Sequence, residues 1–247
     1  MKPEGVIPFK TSKDDAKQAF LKLCKGKPLL PRMFTTEHQV EKITGIYVPF
    51  WLYDCDATLQ GNYRATRVRT WSDSQYIYTK TDYYLLRRQA EACFSGIPMD
   101  AASKMNDTFM ESIEPFDYAD AVDFDTAYLS GFFADKYDVE SQAGEERIQQ
   151  RVETSMDDHL QSTFLGYSTV IPASRNIQIQ HSKAKYMLLP VWLLNTRYNG
   201  KLYTFAMNGQ TGKMTGEFPV CPKRTAAWFA GIWAASSLLV SLIQMIL

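Results

Sequence analysis

The feature that most constrains this chain is its C-terminal run, because no residue from Thr225 to Leu247 carries a charge. A helix of that length, at about 1.5 Å per residue, extends roughly 34 Å and can cross a hydrocarbon core of about 30 Å. An apolar terminal helix left in water favours aggregation, so a buried helix of a soluble protein is the weaker interpretation. The run predicts one transmembrane helix within residues 223–247.

The residues around the start of this run predict how it sits in the membrane. Lys223 and Arg224 directly precede it, and Trp228 and Trp233 lie near its start, where an aromatic belt forms. Flanking basic residues are held on the cytoplasmic side of a membrane. We therefore expect a single-pass protein of the cell membrane, with residues 1–222 as a cytoplasmic domain and the lipid bilayer as its first partner.

The overall charge and the cysteines exclude several classes of protein. Lys and Arg together number 27, as do Asp and Glu, whereas a nucleic-acid-binding protein usually has a basic excess. The four cysteines are far apart and share no zinc-ligand spacing; they are Cys24, Cys55, Cys93 and Cys221. They are also too sparse for a secreted disulfide framework. We expect free thiols in a reducing compartment and no cofactor in this chain.

The pattern of residues 1–222 predicts an α+β fold built mainly on antiparallel sheet. Gly45–Tyr53, Thr58–Trp71 and Gln75–Leu86 are rich in β-branched and aromatic residues, as strands are. Ser72-Asp73-Ser74 joins the last two as a hairpin turn, and Asn199-Gly200 is a strong signal for another.

Two segments within this domain resemble each other. The run Tyr47-Val48-Pro49-Phe50-Trp51-Leu52 is similar to Leu188-Leu189-Pro190-Val191-Trp192-Leu193. Each precedes a Gly-containing turn and a Tyr-bearing strand. Two related β units, at 45–88 and 184–218, explain the similarity, and so does a chance match.

A long helix is predicted within residues 139–165. Its apolar residues recur close to every four positions and form a narrow stripe, consistent with a helix that lies across a sheet or against a partner. Our hypothesis is that Ile148, Val152 and Met156 form an exposed stripe that binds a protein partner.

One alternative to a binding role is a divalent-metal-dependent enzyme. The acidic stretch 117–125 contains Asp117, Asp120, Asp123 and Asp125, and dense carboxylates can bind Ca²⁺ or Mg²⁺. The stretch lacks the glycine and the closing glutamate of an EF-hand loop, and aromatic residues interrupt it. A solvated face with helix-capping acids is the favoured interpretation. We assign no catalytic residue and do not favour an enzyme.

A second alternative is nucleic-acid binding through Arg64, Arg67 and Arg69, with Tyr63 and Trp71 available to stack on bases. Neighbouring acidic residues offset these arginines, so a salt-bridged sheet surface is the favoured interpretation. Nucleic acid is not an expected partner.

Several phrases of the sequence match a known family. They are Val6–Lys10, Tyr47–Leu52, Tyr63–Arg69, Ser103–Met105 with Met110–Asp117, and Phe205–Gly212. Through them the chain resembles the C-terminal part of a family of uncharacterised bacterial membrane proteins, whose N-termini carry TFIIB-type zinc ribbons. The family's paired cysteines belong before Val6 and are absent here. The resemblance therefore implies zinc only where ribbons exist upstream.

The resemblance also implies a function. Some members of that family are described as membrane anchors that recruit phage-shock-type proteins during envelope stress. The expectation for this chain is a membrane-anchored scaffold or recruitment protein with protein partners at the membrane.

Overall fold

The computed structural model describes residues 2–181 and 184–246, and it confirms an α+β fold with a large, mostly antiparallel sheet. The helices are α1 (Lys13–Cys24), α2 (Glu37–Val40), α3 (Asp107–Ser112), α4 (Glu145–Gln161) and α5 (Pro222–Ile246). The strands are β1 (Gly5–Val6), β2 (Thr44–Ser72), β3 (Ile77–Asp100), β4 (Val122–Asp123), β5 (Phe133–Ala134), β6 (Thr169–His181), β7 (Lys185–Tyr198), β8 (Lys201–Asn208) and β9 (Met214–Gly216). Met1, Ser182 and Lys183 of the predicted soluble domain and Leu247 of the predicted span lie outside the described residues.

The chain divides into two compact units, each built from separate stretches of sequence. The anchor unit comprises residues 2–49, 102–137 and 187–246, and it includes α5. The hairpin unit is formed within residues 50–101 and 138–186 and includes most of β2, all of β3 and β6, and α4. The predicted single domain 1–222 and the two related β units remain predictions.

The anchor unit is held together by α1 packed on the hairpin of β7 and β8. Ser12 begins α1 with a capping box, in which its hydroxyl accepts from the backbone N–H of Asp15 while the Asp15 carboxylate accepts from that of Ser12. Ala16, Phe20 and Cys24 then lie on one buried face of the helix. Phe20 meets the ring of Phe205 on β8 edge to face at 4.9 Å. This core closes the unit that carries α5.

The hairpin unit is a three-stranded antiparallel layer covered on one face by α4. Strand β2 pairs with β3 along its whole length in this unit and with β6 from Cys55 to Thr66. Two long-range hydrogen bonds join the segment before α4 to β2. The Trp51 indole donates to the Val139 carbonyl (2.9 Å), and the Tyr53 hydroxyl donates to the Ser141 carbonyl (2.5 Å). Ser141–Gly144 form a 3₁₀ turn, and α4 itself, Glu145–Gln161, is shorter than the predicted range 139–165.

The stripe on α4 lies in the core of the hairpin unit. Ile148, Val152 and Met156 are buried, as is Leu160 one turn further on. The hypothesis of an exposed, partner-binding stripe is therefore wrong for these residues. The narrow apolar stripe marks the side of the helix that faces the sheet, which was the other interpretation open from the sequence.

The structure also contains the predicted C-terminal helix. Pro222–Met245 is long and apolar enough to cross a membrane, and none of its most apolar stretch is buried within the protein. Along that stretch the helix is apolar and is not covered by other parts of the chain.

The burial of α4 predicts the effect of a charge in its stripe. Replacing Ile148 with Asp places an unpaired charge in the core and should reduce the free energy of unfolding by roughly 3–5 kcal/mol. Replacing the exposed Gln150 of the same helix with Asp should cost less than about 1 kcal/mol. Urea denaturation of the full chain in detergent, followed by circular dichroism, measures both. Equal midpoints for the two variants would contradict this packing.

Candidate functional site

The most prominent surface of the hairpin unit is the far end of the β2–β3 hairpin. Strand β6 stops pairing with β2 at Thr66, but β2 and β3 continue together from Arg67↔Asp82 to Ser72↔Ile77. The remaining six residues of β2 span about 20 Å as a two-stranded ribbon, at about 3.3 Å per residue. Such a ribbon is marginally stable by itself, so its side chains must hold it.

The turn that closes the ribbon is organised by one carboxylate. Asp73 accepts hydrogen bonds from the backbone N–H groups of Gln75 and Tyr76 at 2.8 Å each, and from the Tyr78 hydroxyl at 2.9 Å. These donors favour the ionised carboxylate, with Gln75 the strongest, and they lower the pKa of Asp73 below its ordinary value. Across the neutral pH range the turn is therefore fixed by a charged acceptor.

On the face of the hairpin that lies on the α4 side, the side chains change from buried to charged between the core and the turn. Tyr63 is buried, and further along β2 the Arg67 guanidinium lies 5.6 Å from the ring of Tyr84 and 5.4 Å from that of Tyr167. Arg67 also donates to the Gly166 carbonyl at 2.8 Å, which ties the chain after α4 to the ribbon. Beyond it, Lys80 and Asp82 form an ion pair at 3.1 Å. Charged groups thus separate the buried core from the turn.

Exposed aromatic and aliphatic side chains cluster at the end of the ribbon. The rings of Trp71 and Tyr78 are cross-strand partners and stack at 5.6 Å with 15° between their planes. Tyr76 lies beside Tyr78, with ring centroids 6.3 Å apart, and Ile77 is 78% exposed. We call these four residues, Trp71, Tyr76, Ile77 and Tyr78, the hairpin tip.

A second exposed apolar group lies on the opposite face of the same sheet. Tyr83 and Leu85 on β3 are 82% and 76% exposed, and Ile171 on β6 is also exposed. Leu85 and Ile171 flank Arg64 from the two sides, because both are its direct partners across the strands. We call Val68, Tyr83, Leu85 and Ile171 the open-face patch.

The structure does not bring the three predicted arginines together. Arg67 and Arg69 point to the α4 side of β2, whereas Arg64 lies on the open face beside Leu85. Arg67 is occupied by Tyr84, Tyr167 and the Gly166 carbonyl. Nucleic-acid binding by this set remains an untested prediction.

The acidic stretch lies in the anchor unit and serves mainly local structure. Asp117 and Asp125 each accept from a backbone N–H two residues on and so begin short 3₁₀ turns. Asp120 forms an ion pair with Lys10 at 2.5 Å, which is the main cause of its lowered pKa, and it also accepts from the Gln210 amide. Asp123 lies in β4. Among the described residues, no group of three or more His, Cys, Asp or Glu side chains could hold a metal ion.

The predicted membrane flank falls on the first turns of α5. Lys223, Trp228 and Trp233 are exposed, whereas Arg224 is half-buried and donates to the carbonyl oxygens of Pro28 and Leu30. The start of α5 is thereby fixed to the loop that follows α1.

Each unit also contains cavities large enough for a small ligand. One in the hairpin unit, of about 520 Å³, is lined by Tyr63, Phe164 and the ion-paired Arg175, among others. One in the anchor unit, of about 470 Å³, is lined by Met105, Phe109 and other residues.

Sequence reasoning located the hairpin but missed its surface. A hairpin turn was predicted at Ser72-Asp73-Ser74, and in the structure β2 ends at Ser72 and β3 begins at Ile77, so the turn lies slightly further along at residues 73–76. The available signal was that Trp71, Tyr76 and Ile77 lie next to the predicted turn. Period-2 patterning reports which residues share a face but does not report what covers the face.

Comparison with known proteins finds one uncharacterised relative. The chain is 37% identical over 245 residues to the uncharacterized protein YdjG of Bacillus subtilis, a match that spans 99% of this chain and 72% of the relative. No protein-family profile matches the chain. No solved structure matches it.

The geometry of the turn predicts the effect of removing its acceptor. Replacing Asp73 with Ala should speed hydrogen–deuterium exchange in the peptide that contains the hairpin tip by about fivefold, because two backbone donors lose their partner. Since the folded-state pKa of Asp73 is lowered, the same ordering should also fade only as the pH falls through that lowered value. Replacing the neighbouring Ser74 with Ala is the control, and equal exchange in both variants would contradict the assignment.

Proposed function

We propose that this chain, which belongs to the family of the uncharacterized protein YdjG of Bacillus subtilis, is a membrane-anchored protein that recruits a protein partner to the membrane surface. The observation that carries the proposal is the exposed hairpin tip, presented by a chain that also has a helix of membrane-spanning length. The helix anchors the protein, and the tip and the open-face patch bind the partner.

The chemistry of the hairpin supports a protein as the partner. Trp and Tyr are enriched at the centres of protein interfaces, where they bury large areas at a small cost in conformational entropy. The Asp73 turn holds the tip in one conformation before binding, which lowers that cost further. Within the described residues β3 pairs only with β2, so its outer edge is open to strand addition.

The basic flank supports an orientation with both units in the cytoplasm. Lys223 and Arg224 precede the uncharged run, and basic residues next to a span favour the cytoplasmic side.

The resemblance to zinc-ribbon membrane proteins extends the proposal to recruitment during envelope stress. On that view, zinc belongs to ribbons upstream of Val6 rather than to any residue of this chain.

Anchoring and orientation can be tested with a natural thiol. Cys93 is exposed and free, so a membrane-impermeant maleimide should label it in lysed cells but not in intact cells, with Cys93→Ser as the background control. A chain shortened after Arg224 should move from the membrane pellet to the soluble fraction. Labelling in intact cells would contradict the orientation, and a shortened chain that still sediments with membranes would contradict the anchor.

Recruitment can be tested by photo-crosslinking from the membrane. A benzoylphenylalanine placed at Tyr76 should crosslink to a specific protein, whereas the same group at Gln89, exposed in the polar part of β3, should not. The double substitution Tyr76→Ser with Ile77→Ser should reduce recovery of that partner at least tenfold, since hot-spot side chains each contribute about 2 kcal/mol.

A matched substitution, Arg87→Ser with Gln89→Ser, should leave recovery unchanged. Crosslinks that form equally from residues 76 and 89, or recovery that survives loss of the tip side chains, would contradict the proposal.

A further inference from the structure

A groove lies in the anchor unit beside the first two turns of α5. It has a volume of about 510 Å³, which is within the range of ligand-binding clefts. Its lining combines three cations, Lys27, Arg32 and Arg224, with the apolar surfaces of Pro28, Leu30 and Trp228. The tip-mediated recruitment proposed above does not use this groove.

The two walls of the groove are joined by direct bonds. The Arg224 guanidinium donates to the carbonyl oxygen of Pro28 at 3.2 Å and to that of Leu30, and the Cys221 backbone N–H donates to the Leu29 carbonyl at 2.9 Å. These contacts hold the loop after α1 against the start of α5. Gly26, at φ +79°, lets the chain turn into that loop, a conformation that other residues rarely adopt.

The lining residues of the groove include three cations and no Asp or Glu. From Ala16 to Thr36 the chain has Lys and Arg side chains but no Asp or Glu. Lys27 lies over the ring of Phe218 at 4.6 Å, and within the described part of the chain neither Lys27 nor Arg32 is ion-paired with a carboxylate. A guanidinium carries five N–H groups, so Arg224 retains donors beyond those given to the two carbonyls.

The position of the groove along α5 points to a lipid. Trp228 is one turn beyond Arg224, about 6 Å along the helix axis, and the uncharged run begins at Thr225. If α5 spans the membrane, the basic wall lies at the level of the lipid phosphates and Trp228 lies at the aromatic belt. Basic pockets at this depth attract anionic headgroups.

We propose that this groove binds the headgroup of an anionic phospholipid, with Lys27 and Arg32 contacting the phosphate and the apolar wall contacting the glycerol region. The inference rests on the proposed membrane anchor. The groove would add a specific lipid contact to the anchor, and this contact would fix the start of α5 at the membrane surface.

The test uses the full chain reconstituted in nanodiscs of equal parts phosphatidylcholine and phosphatidylglycerol. Native mass spectrometry then measures which lipid stays bound after release. We expect phosphatidylglycerol to be enriched, and Lys27→Glu with Arg32→Glu to reduce that enrichment roughly tenfold, because each basic residue near an anionic surface contributes a several-fold preference.

Two further variants separate charge from folding. Lys27→Arg with Arg32→Lys keeps both charges and should keep the enrichment. Lys104→Glu with Lys136→Glu makes the same change in charge at exposed positions of the same unit and should also keep it. Equal enrichment in the groove variant and in this control would overturn the inference.

Two further measurements distinguish a failure of the proposed groove from a failure of the proposed anchor. Flotation with vesicles of phosphatidylcholine alone tests the anchor: a chain that floats but shows no lipid preference overturns only the groove, whereas a chain that does not float overturns the anchor and the groove together. Displacement of phosphatidylglycerol by millimolar inorganic phosphate would assign the groove to free phosphate and overturn the lipid.

Discussion

The backbone pairing of β2 is the constraint on which the proposed binding surface depends. From Cys55 to Thr66 this strand is hydrogen-bonded on both edges, to β3 and to β6, and α4 covers one face of the resulting layer. Where β6 stops, β2 and β3 continue as a ribbon with no third strand. The side chains beyond that point cannot be buried by the unit itself, so Trp71, Tyr76 and Ile77 remain at the surface. Their exposure follows from the unequal lengths of paired strands.

The ribbon stays ordered because polar contacts compensate for the missing strand. The Asp73 carboxylate fixes the turn, Lys80 and Asp82 pair along β3, and Arg67 lies between two tyrosine rings while it bonds the Gly166 carbonyl. Exposed ion pairs contribute little by themselves, about 0–1 kcal/mol. The ribbon is therefore stabilised chiefly by its turn, by the Trp71–Tyr78 stack and by Arg67 at its base. The same contacts position the side chains of the tip.

The chain has two kinds of exposed apolar surface, and they suit different environments. The helix α5 is apolar all round, with Leu, Ile and Val toward its end, as a span in lipid is. The hairpin tip is small, aromatic and bordered by charged residues, which is typical of a protein interface. A groove of basic and apolar residues at the start of α5 fits the boundary between lipid and water. These three surfaces together give the proposal of a protein that is fixed at the membrane and binds a protein partner.

Particular elements show how far sequence reasoning extends. Strand character in Thr58–Trp71 and Gln75–Leu86 and a turn between them were predicted correctly, because each depends on neighbouring residues alone. The second half of β3 was missed. Arg87, Arg88, Gln89 and Glu91 are weak strand formers, and they are extended because β2 supplies the backbone partners. The α4 stripe was recognised, but its partner was misassigned. An apolar stripe on a helix indicates that another element covers it, and here that element is the sheet of the same unit.

The sequence by itself determined the properties that are set over short distances: the uncharged C-terminal helix, the hairpin turns, the alternation along the strands and the α+β class. Only the tertiary structure decided which apolar residues are covered. Burial depends on the strands and helices that pack from distant parts of the chain, such as β6 ending at Thr66 and α4 lying over Ile148, and no local pattern encodes where those elements stop. The hairpin tip and the groove at Arg224 are therefore surfaces that appear only once the chain is folded.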